Sequence, residues 1–190
     1  MAADAPATWR TWLESVPAAR AASIALPSAA DLETLRANRE LLARWAGRAP
    51  SIAWNDLAQS LVVKYQQNPL RASRVHAYLH VVIHDALVVC AQRKCDPSVR
   101  PAAMHAAASR MLEHLYPDES PGRFAALGRS GAAAQLANLG GHNQAALAWQ
   151  AGSDVAEGAI PPALNDGWDM PKPTPKRPGS MKPWSSLQKS

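Results

Sequence analysis

Strand-forming residues are scarce in this chain. It has one Phe and three Tyr, and only ten Val, among its 190 residues. Aromatic and β-branched side chains are what strands use most, so an all-β fold is excluded. Cysteine is almost absent too, with two residues at 90 and 95, which rules out a disulfide framework and a CxxC redox motif. At the end of an expected helix that offset points the side chains about 140° apart. A disulfide would need the helix to end between them, and the simpler reading is two thiols, one of them buried. No apolar run approaches the ~20 residues of a membrane span, so no transmembrane segment is expected. The N-terminus has neither a basic stretch nor an apolar one. As written it predicts a cytoplasmic chain, or a periplasmic or secreted one if a leader was removed. There is no GxGxxG or Walker-type phosphate loop, no GxSxG elbow and no HExxH.

What the chain has is alanine. Hydrophobic residues make up 47%, and 39 of them are Ala. Alanine is the best helix former. The chain is long enough for one domain with a real core and short for two. The net charge of +5 is uneven. Residues 161–190 hold Lys172, Lys176, Arg177, Lys182 and Lys189 against Asp166 and Asp169. The remaining cations are scattered and form no stripe with interleaved aromatics, so nucleic acid is not an expected partner.

Helical spacing recurs along the chain. A short helix is expected near 8–15, and a second over 29–46, opened by Ser28 and Asp31 and closed by Gly47 and Pro50. Ser51 caps the next, where Trp54, Leu57, Ala58, Leu61, Val62 and Tyr65 form an apolar stripe. Asn68-Pro69 separates it from the longest and most apolar helix, 70–92, a central one by its composition. Further helices are expected over 100–116, 121–138 and 142–158. Seven of the sixteen prolines fall in 161–190. The expectation is an all-α bundle of five to seven helices over 28–160, preceded by an extension (1–27) and followed by a Pro/Trp/Lys-rich tail (161–190).

Histidines 76, 80 and 84 repeat every four residues on one face of the long helix. A pair at that spacing suits a metal ion. All three cannot hold one ion, because the outer two lie about 12 Å apart along the axis. Two of them would need a third ligand from another helix, with His105, His114 and His142 as candidates. Asp85 sits in an apolar stretch and needs a partner if buried. Arg71 and Arg74 are too many turns away, so that partner is expected from another element. Asp85 and Trp54 are assigned structural roles.

One stretch resembles a known family. Trp54-Asn-Asp-Leu-Ala, then Asn68-Pro-Leu-Arg-Ala-Ser-Arg-Val-His-Ala-Tyr-Leu-His-Val-Val-Ile-His-Asp-Ala-Leu, is similar to the N-terminal helices of soluble bacterial members of the type 2 phosphatidic-acid phosphatase/vanadium haloperoxidase superfamily. His105-Ala-Ala-Ala followed by Leu112-Glu-His-Leu-Tyr-Pro resembles the helix after that family's Pro-Ser-Gly-His motif. Asp166-Gly-Trp and Pro183-Trp184 resemble its Pro/Trp-rich end. The likeness is strongest over 54–116, weak to 160 and loose beyond. It implies a helical bundle whose site binds phosphate or vanadate through Lys and two Arg, with one His as nucleophile or vanadium ligand and another as acid/base.

By this resemblance Lys94 and Arg100 are the phosphate- or vanadate-binding candidates, and His105 and His142 the catalytic ones. Each motif is altered. Lys94 and Arg100-Pro101 are one residue closer than the family spacing. Ala102-Ala103-Met104-His105 keeps only the His of Pro-Ser-Gly-His, without the family's intervening loop. Aligned on His142, the third motif's Ser-Arg becomes Gln135-Leu136. Aligned on Ser153-Asp154-Val155, the motif's Ser, Arg and His become Asn143, Gln144 and Gln150. Losing an Arg from an oxyanion clamp costs several kcal/mol of transition-state stabilisation.

The leading expectation is therefore a degenerate relative or scaffold without a complete active site and without a cofactor. The competing reading is an active phosphatase (a phosphoric monoester hydrolase) or haloperoxidase using Lys94, Arg100, His105 and His142, with vanadate bound if that chemistry survives. A third is a metal-binding protein using His76, His80 and His84. A fourth makes the tail a docking segment for a partner protein or a second copy. The small partner expected is a phosphate-like anion.

Overall fold

The computed structural model describes residues 10–13, 36, 39–45, 47–136 and 142–167. Six helices occupy them and no strand does: α1 (Arg39–Trp45), α2 (Pro50–Lys64), α3 (Pro69–Gln92), α4 (Arg100–Leu115), α5 (Arg123–Leu136) and α6 (His142–Asn165), with a 3₁₀ turn at Pro97–Val99. This is the all-α bundle that the alanine content and helical spacing predict. The expectations for residues before 10 and after 167 lie outside the described residues, as does most of the first half of the 29–46 helix.

Local chemistry sets the helix ends. Pro50 and Pro69 open α2 and α3, where their missing N–H costs nothing. Asn68 caps α3, its side chain accepting from Arg71 N at 2.9 Å. Asp96 accepts from Ser98 N at 2.8 Å and starts the 3₁₀ turn. Both α2 and α3 end in a Schellman motif: Gln67 N donates to Val62 O and Gln66 N to Val63 O, while Cys95 N donates to Cys90 O and Lys94 N to Ala91 O. The left-handed position, usually glycine, is held by Gln66 (φ 46°) and Lys94 (φ 58°).

Helix α4 lies at the centre, packed against α6, α3 and α5. Its alanines permit close approach. Ala102, Ala103, Ala106, Ala107 and Ala108 are all buried, and a Cβ on Gly152 of α6 would stand 2.0 Å from Ala103 O. Two apolar clusters meet along this helix. One joins Val82, Val89, Cys90, Cys95, Val99, Met111 and Val155 between α3, α4 and α6. The other joins Trp45, Trp54, Leu61, Leu79, Leu112, Phe124 and Leu127 toward α1, α2 and α5. Ion pairs Arg93–Asp154 and Arg110–Glu157, each at 2.6 Å, tie α6 to α3 and α4.

Two element ends differ from expectation. Arg10–Leu13 is not helical; the N–H groups of Trp12 and Leu13 donate to Asp85 at 2.9 Å instead. Helix α6 continues through Pro161 and Pro162 to Asn165. Burial of Ala163 and an Arg74 clamp on Ala163 O and Asp166 hold this last turn against the bundle. The domain boundary expected after residue 160 thus falls inside a helix.

Helix α3 is long and apolar enough, by length and composition, to cross a membrane: its best window has mean hydropathy 1.3. Half of that window is buried in the bundle, as the core helix of a folded domain also is.

Candidate functional site: a sealed imidazole on the central helix

His105 lies on the second turn of α4 and is fully buried. Its Nδ1 accepts a 3.0 Å hydrogen bond from the Trp54 indole N–H. The Trp45 ring stacks at 6.0 Å between centroids, and Trp54 meets it edge-on at the same separation. On the α5 side the ring fits only because residue 131 is glycine. A Cβ there would be 2.4 Å from His105 Cε1. Gly128, one turn earlier, makes the same room for Ser109, whose Oγ would lie 2.8 Å from an added Cβ.

Because Nδ1 accepts, the imidazole proton sits on Nε2. Nε2 and Gln135 Oε1 are both buried without a hydrogen bond of normal geometry. Burial pushes the His105 pKa down to about 4, and the Gln135 amide partly offsets that effect. At neutral pH the ring is uncharged, and solvent does not reach it.

The other residues expected from the phosphatase-like pattern do not converge on it. Lys94 is exposed at the left-handed end of α3. Arg100 begins α4, with its Nε buried and lacking a hydrogen-bond partner. It is five residues, about 7.5 Å of helix rise, before His105. The side chain of His142 lies outside the described residues. Gln150, from the alternative alignment, donates to Asp154 at 2.6 Å. A phosphate or vanadate group needs cationic forks and an imidazole facing one open space. A ring enclosed by Trp45, Trp54 and Gly131 does not fit that group.

The three histidines of α3 take separate partners. His76 and His80 stack at 6.4 Å. His80 Nε2 pairs with Asn55 Oδ1 at 3.1 Å, and burial followed by repulsion from His76 lowers its pKa. His84 Nδ1 contacts Asp85 Oδ1 at 2.9 Å, so Asp85 holds both that imidazole and the 12–13 backbone. Of the third ligands considered, His105 is taken by Trp54 and His114 lines a cavity at the other end of α4. Among the described residues no group of three His, Cys, Asp or Glu is arranged to hold a metal ion.

That cavity, of about 560 Å³, is one that the sequence pattern did not suggest. Its walls include Arg71, Arg74, His114, Gln67, Leu115 and Leu164. It contains none of Lys94, Arg100 and His105. Arg71 and Arg74 share one face of α3 at three-residue spacing, which is a readable signal. Their meeting with His114 and the end of α6 is not readable, since it depends on helix packing. Gly128 and Gly131 were likewise missed as ring-accommodating positions, though small residues three apart on a helix mark a close approach.

No protein-family model, curated protein or solved structure matches this chain.

Proposed function

We propose that this protein is a non-catalytic helical scaffold of the phosphatidic-acid phosphatase/haloperoxidase type, in which the former catalytic histidine has become a core residue. The observation that carries the reading is His105: its only accepting nitrogen is committed to Trp54, and its ring is shut in by Trp45 and Gly131. An in-line nucleophile must reach its target atom at about 3 Å, and no approach to this ring is open.

A second feature supports descent from that arrangement. The alignment on His142 puts Gln135 at the family's Ser of Ser-Arg, and Gln135 is the polar neighbour of His105 across α4 and α5. The positions that would face one phosphate in an active relative thus still face each other, with an amide in place of the Ser and Leu136 in place of the clamping Arg. The competing enzyme reading requires Lys94 and Arg100 to join them, and their places at the end of α3 and the start of α4 argue against it.

Calorimetric titration of the full chain with orthovanadate, with phosphate as competitor, tests the proposal. No heat at millimolar vanadate is expected. Binding that survives His105→Ala but disappears in Arg71→Gln and His114→Gln would put an anion in the 560 Å³ cavity and leave the scaffold reading intact. Micromolar binding lost in His105→Ala or Arg100→Ala would overturn it.

A further inference from the structure

The two cysteines are brought together by the way α3 ends. In its Schellman motif Cys90 is the third residue from the end and Cys95 the second residue beyond, joined by the Cys95 N to Cys90 O bond of 2.9 Å. Side chains at these two positions meet across the turn. Here both are thiols, both are buried in the same cluster, and both are free. The left-handed Lys94 makes this fold-back, and it answers the geometric objection to pairing along a continuous helix. Two cations stand beside the pair: Arg93, which is fixed on Asp154, and Arg100, whose Nε is buried without a hydrogen-bond partner among the described residues.

We infer that Cys90 and Cys95 form a peroxide-oxidisable thiol pair, with Cys95 the residue oxidised first and Cys90 the resolving thiol. The two sulfurs are not equivalent. The Cys90 S–H donates to Cys95 and holds its pKa below the ordinary thiol value; burial opposes this, and Arg93 and Arg100 add to the lowering. Cys90, as the donor and the more deeply buried thiol, is pushed up. A thiolate beside fixed cations is the form that reacts. The Cys95 thiolate attacks one oxygen of a hydroperoxide, the O–O bond breaks, and the departing alkoxide takes a proton and leaves as an alcohol (water, when the oxidant is hydrogen peroxide). The product is Cys95–S–OH. The Cys90 sulfur then attacks the Cys95 sulfur, the S–O bond breaks, and the hydroxide leaves as water with the Cys90 proton. Two thiols and one hydroperoxide become one disulfide, one alcohol and one water. The oxidised bond would clasp the end of α3 to the residues that start the 3₁₀ turn. Arg100, a phosphate-binding candidate by resemblance, then serves as the fixed cation of this pair.

The test is treatment of the reduced, folded full chain with hydrogen peroxide, followed by intact mass and non-reducing tryptic mapping. Arg93 and Lys94 lie between the cysteines, so trypsin separates them unless a disulfide joins the pieces. A monomer lighter by two hydrogens, with the Cys90 and Cys95 peptides linked, is expected. In Cys90→Ser, dimedone should label Cys95. In Cys95→Ser, labelling of Cys90 should be at least about tenfold slower, and Arg100→Gln should slow wild-type oxidation about as much. Oxidation only after denaturant is added, first labelling at Cys90, an interchain dimer, or sulfinic acid without a linked peptide would each overturn the inference.

Discussion

A ring sealed in the core as a neutral base makes stability depend on pH in a calculable way. His105 has its pKa pushed down to about 4 by burial, against about 6.5 in an unfolded chain. The folded state therefore disfavours the protonated ring. The stabilisation is complete above pH 6.5 and is lost as pH falls through about 4, after which the loss levels off. At 1.36 kcal/mol for each pH unit between the two values, the full effect is about 3 kcal/mol. Between pH 7 and pH 4.5 it amounts to roughly 2.5 kcal/mol. His105→Gln keeps an acceptor for Trp54 and does not titrate. Urea denaturation of both proteins at the two pH values isolates the effect, because the carboxylates contribute equally to each. Wild type should lose about 2.5 kcal/mol more than the variant over this interval. Parallel losses in the two proteins would mean that the imidazole is not held neutral in the core, and the reasoning would fail.

Three further predictions concern packing and backbone. Gly152→Ala drives a methyl into the Ala103 carbonyl and should cost about 3 kcal/mol, whereas Gly47→Ala, with open space around it, should stay within about 0.5 kcal/mol; urea midpoints compare them. Asp85→Asn turns one of the two oxygens that hold Trp12 N, Leu13 N and His84 into an amide donor, which leaves a backbone N–H facing an N–H. It should cost about 2 kcal/mol and speed proteolytic cleavage before residue 13, whereas unchanged proteolysis would disprove that anchoring. Lys94→Gly relieves the left-handed backbone at the end of α3 and should stabilise by about 1 kcal/mol, read from the same denaturation curves.

The sequence reveals the helices better than their neighbours. The stripe from Trp54 to Leu61 and the apolar run of α3 are periodic, and periodicity comes from local geometry. Helix α6 runs past the end its sequence predicts, because Pro161-Pro162 reads as a stop signal. A buried Ala163 and the distant Arg74 hold that turn, and no local pattern contains them. Asp85 reads as a buried acid in need of a partner from another element, but the partners are backbone N–H groups, which carry no residue signature. The three histidines of α3 share a face in the sequence, while their surroundings come from α2 and the 12–13 segment. His105 sits among alanines on the buried face of its helix, where the sequence marks burial but not what encloses the ring. Its enclosure comes from Trp54 on α2, Trp45 on α1 and Gly131 on α5, three elements that only tertiary packing unites.

Nitrogen-15 NMR of the histidine side chains, recorded on the full chain with and without orthovanadate, tests the central claim most directly. The account predicts that His105, assigned through His105→Gln, carries its proton on Nε2 at pH 7, titrates near pH 4 and keeps its shifts at millimolar vanadate. A His105 resonance that titrates near its ordinary value, or that moves with micromolar vanadate, would contradict it and return this imidazole to an open, anion-binding site.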